Sequence, residues 1–115
     1  MKSINGESFE VRLEENKSTV FFKGALRLSG MEDYAPILAL LKAMLVDSAS
    51  PIVLDVRELD FLNSSGITMF SRFVIEARDH DGIDLHVVAS GAIPWHARSL
   101  KNLQRLMPSL SIDLT

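Results

Sequence analysis

The chain contains no cysteine. That absence excludes a disulfide framework, thiolate catalysis and any zinc or iron–sulfur centre held by cysteine. An excess of positive charge is missing too. Lysine and arginine number 12 against 15 acidic residues, a formal charge of −3, so no global positive field draws the protein to phosphate backbones or anionic lipid. Nucleic acid is not an expected partner. The most apolar stretch, "APILALLKAMLV", is about 12 residues long and carries Lys42, short of what crosses roughly 30 Å of hydrocarbon. The opening "MKSINGESFE" has one early lysine but no apolar segment or small-residue cleavage site, so it does not read as a secretory signal. A cytoplasmic location without membrane insertion is expected. Phosphate-cradling and dinucleotide fingerprints are absent, since "ASGAIP" has too few glycines, and no cofactor is expected.

What is present is an ordinary globular composition. With 115 residues, 47% hydrophobic and 23% charged, the chain is expected to form one domain over 1–115 with a core of its own. "FEVRLEE" places Phe9, Val11 and Leu13 on one face, the period of a half-buried strand. "ENKS" breaks the pattern and "STVFFKGALRL" resumes it, which predicts an antiparallel hairpin. The period then changes. Ile37, Leu38, Leu40, Leu41, Met44 and Leu45 form a helical stripe, with Asp33 as the expected N-cap and Pro36 in the first turn. "PIVLDVREL" suits a central strand buried on both faces, and Ile67, Phe70, Val74 and Ala77 recur in helical step up to Gly82. "IDLHVVAS" reads as strand, "PWHARSLKNLQRLM" as helix and "LSIDLT" as a closing strand. The expected order is ββαβαβαβ, an α/β domain with parallel crossovers onto a mixed sheet.

Between the central strand and the second helix lies "DFLNSSGITMF", Asp60 to Phe70. At such a junction the first backbone N–H groups of the helix lack acceptors and the helix dipole adds partial positive charge. Asn63, Ser64 and Ser65 all rank well as N-caps, which leaves more oxygens than one cap needs. The plain reading is a cap and turn. The alternative is that a spare hydroxyl, with Gly66 removing a side chain from the approach, accepts a phosphate.

"LDVRELDFLNSSGITMFSRFVIEA" resembles the core of the STAS family, which includes the bacterial anti-sigma factor antagonists. There, an aspartate or similar residue and then Ser-Ser-Gly or Ser-Thr-Gly follow the third strand and open the second helix. The ββαβαβαβ order, about 105 of the 115 residues, is similar to the same family, as is "FKGALRL", where the family has an apolar-Gly-x-Leu strand end. The resemblance implies a STAS-like fold with helices mainly on one face of the sheet. It also implies a non-enzymatic signalling regulator of transcription. Its partners would be a serine kinase and anti-sigma factor of the histidine-kinase-like ATPase fold and an opposing PP2C-type phosphatase. The serine directly before the glycine is the family's phosphorylation site, and it matches Ser65. Beside it, Asn63 and Ser64 are expected to cap and to take part in recognition, Gly66 to give access, and Arg27 with Leu28 to form the neighbouring rim. The sequence departs from the pattern at Asn63, where the family commonly has aspartate, and at Arg27, where an aspartate often follows the leucine.

Other constellations carry less. His80 in "RDHDG" sits between Asp79 and Asp81, a spacing that projects the side chains apart and reads as a solvated helix end. No nucleophile is placed beside His86 by the sequence. A Ser65–His96–Asp triad can be drawn, but "NSSGI" is not a nucleophile elbow and no oxyanion loop accompanies it. Asp55 lies in an apolar strand and is expected to bond locally. Ile93 and Trp95 are read as packing the third helix onto the sheet, though with Met31 they could form an apolar surface. As an exposed surface they would suit the other STAS role, a subunit of phospholipid transport or another assembly that binds an ATPase without phosphorylation.

Overall fold

The computed structural model describes residues 2–14, 18–46, 51–80 and 82–115. Strands β1 (Lys2–Asn5), β2 (Phe9–Glu14) and β3 (Thr19–Leu26) come first, followed by helix α1 (Gly30–Val46). Then β4 (Ile52–Leu62), α2 (Ser64–Arg78), β5 (Leu85–Ala89), α3 (Pro94–Leu106) and β6 (Ser111–Leu114) alternate. The expected strands and helices are all present, with β1 in addition. "KSIN" has no alternation strong enough to mark a strand; it becomes one because β2 offers an edge, with Ile4 opposite Val11. Much of the "ENKS" turn, residues 15–17, lies outside the described residues.

The six strands follow chain order across the sheet, β1-β2-β3-β4-β5-β6. Pairing is antiparallel through β3 and parallel from β3 to β6. Alternation decides the layers. Val11, Val20, Phe22, Leu54, Val56, Leu85 and Val87 are buried beneath the helices, and their neighbours Arg12, Phe21, Val53, His86 and Val88 are half-buried on the opposite face. The rings of Phe22 and Phe70, 5.1 Å apart, join β3 to α2 inside that core. Gly24 belongs to the hairpin for a steric reason. Its φ is +91°, and a Cβ there would lie 2.2 Å from the backbone oxygen of Ser8.

Two sequence expectations need correction at α1. The helix begins at Gly30, so Asp33 lies within it; its carboxylate accepts a hydrogen bond from the Ser29 N–H at 3.3 Å. Pro36 lies inside the helix, beyond the first turn, where the missing N–H removes one intrahelical bond. Burial of Tyr34, Ile37, Leu38, Leu41 and Leu45 outweighs that loss.

Strand β4 is longer than its apolar run and shifts register twice against β3. Phe21 faces Asp55 but Lys23 faces Glu58; Gly24 faces Leu59 but Ala25 faces Phe61. Each step adds one residue to β4, a bulge that re-aims the side chains beyond it. Asp55 and Arg57 brace the first bulge. Arg57 donates through Nε and Nη2 to the carboxylate, the shortest bond being 2.7 Å, and its backbone N–H is a third donor to it. Asp55 does bond locally, within the strand. At the second bulge the inserted Asp60 and the following Phe61 are both exposed, and Leu62 returns to the core. This brings Phe61 to the mouth of α2.

Candidate functional site

The C-terminal ends of β3 and β4, the start of α2 and the start of α3 meet along one edge of the sheet. Asn63 organises it. Its backbone N–H donates to the Leu26 carbonyl at 3.2 Å, and its side-chain Nδ2 donates to the Leu28 carbonyl at 2.8 Å. Its Oδ1 accepts from the Gly66 N–H at 2.9 Å and from the Tyr34 hydroxyl at 2.7 Å. One side chain thus caps α2, anchors the segment after β3 and holds α1. Burial pushes the Tyr34 phenol above its ordinary value of 10.0, opposed in part by a hydrogen bond from the Leu28 backbone.

Because Asn63 is the cap, Ser64 and Ser65 occupy the first turn of α2 instead of preceding it. Ser64 is exposed and Ser65 half-buried. The Ser64 carbonyl accepts from the Thr68 hydroxyl at 3.1 Å, but neither serine hydroxyl bonds to a described residue. The first turn of α2 carries no acidic side chain. Arg27 is exposed, and its guanidinium carbon lies 4.9 Å from the centroid of the Phe61 ring, which is itself 42% exposed. Leu28 is half-buried at the rim of the core.

Gly66 departs from its expected role. It is buried, and a Cβ on it would lie 2.3 Å from Leu62 Cδ1 and 2.8 Å from the Tyr34 hydroxyl. The glycine makes room for packing of α2 on α1 and β4, not for approach from outside.

The triad drawn from the sequence has no base. His96 is fully buried, its Nδ1 accepting from the Ser90 N–H at 3.0 Å and its Nε2 lying 3.0 Å from the Leu59 carbonyl. With Nδ1 an acceptor, Nε2 is the nitrogen that carries the proton and donates. Both nitrogens serve the backbone and none is left for Ser65. Trp95 beside it is half-buried, its indole N–H shared between the Leu59 and Asp60 carbonyls at 3.2 Å each. Met31 and Trp95 pack against the core, and half-buried Ile93 is the N-cap of α3. His80 and Asp79 are exposed at the end of α2, while Asp81 lies outside the described residues. Among the described residues no three metal-ligating side chains cluster, and no helix is long and apolar enough to cross a membrane.

The sequence reading missed Tyr34 and Phe61. The chain's single tyrosine could have been flagged by its place in an apolar helical stripe that needs a partner for its hydroxyl. Nothing local marks Phe61, since its outward direction comes from the bulge.

The fold has a solved counterpart. The chain aligns over 100% of its length, and 100% of the other's, with a chain in the crystal structure of the diguanylate cyclase SiaD in complex with its activator SiaC from Pseudomonas aeruginosa, at a TM-score of 0.74 and 15% identity. At that identity the likeness is one of fold. No family model matches the chain, and no curated protein matches it.

Proposed function

We propose that the chain is a non-enzymatic, cytoplasmic signalling regulator that works by binding a protein partner, similar to an anti-sigma factor antagonist and switched by phosphorylation at Ser65. The observation that carries the reading is the pair of serine hydroxyls in the first turn of α2, left without a bond to any described residue because Asn63 already caps the helix. A hydroxyl with no structural duty, half-exposed at the electropositive end of a helix, is open to modification without loss of a fold contact. A likeness to a structure that joins an enzyme to its activator supports a domain of this fold acting through another protein.

In this reading a serine kinase of the histidine-kinase-like ATPase fold docks on the rim of Arg27, Leu28, Asn63 and Ser64. Its base takes the Ser65 hydroxyl proton, the oxygen bonds to the γ-phosphorus of ATP, and ADP leaves. The phosphate brings about −1.5 to −2 charges into the docking surface and weakens it. A PP2C-type phosphatase restores the hydroxyl.

Incubation with ATP and candidate kinases of that fold, followed by intact mass measurement, tests the reading. One phosphoryl is expected, lost in Ser65→Ala and retained in Ser64→Ala. Protein recovered unmodified from its own cells across several growth states would overturn it.

A further inference from the structure

Arg27 follows the last residue of β3, and the structure shows how it is kept beside the start of α2. The carbonyls on either side of it, those of Leu26 and Leu28, both accept from Asn63, the residue immediately before Ser64. The backbone of Arg27 is therefore pinned against the start of α2. Its guanidinium has no ion pair with a described residue and rests on the Phe61 ring, 4.9 Å from the centroid. That ring is present at the edge because the second β4 bulge turns Phe61 outward.

Asp60 on β4 precedes Phe61, and Glu32 and Asp33 lie in the first turn of α1. Asp33 already accepts from the Ser29 N–H, and the first turn of α2 carries no acidic side chain. An exposed cation–π contact is weaker than a charge-assisted, two-pronged bond from a guanidinium to phosphate oxygens. A dianion arriving at this edge would outcompete the ring.

We propose that Arg27 is the receiving group for a phosphate on Ser65, leaving the Phe61 ring for the phosphoryl oxygens when that serine is modified. This rests on the phosphorylation reading above and deepens it. Part of the new charge is then neutralised within the chain. The surface offered to a partner changes by loss of a free cation and exposure of an aromatic ring, as well as by added repulsion.

The test installs phosphoserine at position 65 during translation, so that no kinase is needed, and follows the second phosphate ionisation by phosphorus NMR. The ionisation constant is expected to be about threefold to tenfold larger with Arg27 than in Arg27→Gln, a modest effect for an exposed pair. The difference should shrink as salt is raised. The Arg27 side-chain protons, shifted by the Phe61 ring current in the unmodified protein, are expected to move towards unstacked values. Equal ionisation constants with and without Arg27 would overturn the inference. That result would leave the kinase experiment undecided, and a kinase that ignores Ser65 would not alter this measurement.

Discussion

Asn63 shows why an amide and a carboxylate are not equivalent at a helix cap. Either oxygen accepts from the Gly66 N–H, but only the amide donates to the Leu28 carbonyl. Asn63→Asp keeps a favourable charge for the helix dipole yet sets a carboxylate oxygen against a carbonyl. A net loss of about 1–3 kcal/mol in urea unfolding is expected, with Asn63→Ala at least as costly. Tyr34 makes a second, pH-dependent statement. Its phenol is raised in the folded state above 10.0, so the folded chain holds that proton more tightly than the unfolded one. The associated stability is fully present below the ordinary phenol value and is lost as pH rises through the folded value. Unfolding midpoints followed upward from pH 9 should fall more steeply in the natural chain than in Tyr34→Phe, which has no proton to lose.

At the scale of elements, three contacts hold the candidate edge together. Helix α2 lies close to α1 and β4 because Gly66 has no side chain. Gly66→Ala is expected to destabilise by about 1–3 kcal/mol through overlap with Leu62 and Tyr34. Leu62→Ala in the same chain should recover part of that loss, a coupling that a double-mutant cycle would read. Helix α3 is tied to the outer half of β4 by His96 and Trp95. His96→Phe fills the space but takes the partner of the Ser90 N–H and leaves the Leu59 carbonyl with only its share of the Trp95 indole N–H. A cost of about 1–3 kcal/mol is expected in equilibrium unfolding, with little recovered by the ring's volume. The two β4 bulges form the third contact, since they set which side chains face outward where the strand meets α2.

At the scale of the whole molecule, the described residues form one sheet with three helices packed on one face, and the candidate site lies at its edge instead of within its core. A phosphate there is expected to leave the fold intact. The serine hydroxyls make no hydrogen bond with described residues, and an anion at a helix start contributes about 0.3–1 kcal/mol in its favour. The melting temperature of the Ser65-phosphorylated protein should therefore equal or slightly exceed that of the unmodified chain. Amide shifts should change around α2, Arg27 and Phe61, while β1 and β2 stay unaffected. A phosphate that unfolds the domain would mean the hydroxyl has a structural role.

By itself the sequence determined the class of fold, because alternation in the strands and the three- and four-residue steps in the helices are local signals of which face is buried. It also marked the strand-to-helix junction, where Asn, two serines and a glycine follow one another. Only the tertiary structure decided which of those residues does what. The Leu28 carbonyl, the Tyr34 hydroxyl and the Gly66 N–H converge on one amide from three separate elements, and that convergence makes Asn63 the cap and frees the serines. The role of His96, the reason for Gly66 and the outward turn of Phe61 likewise depend on partners distant along the chain. Hydrogen bonds and close packing are satisfied in space, and a linear pattern records only the propensities of residues that are neighbours in sequence.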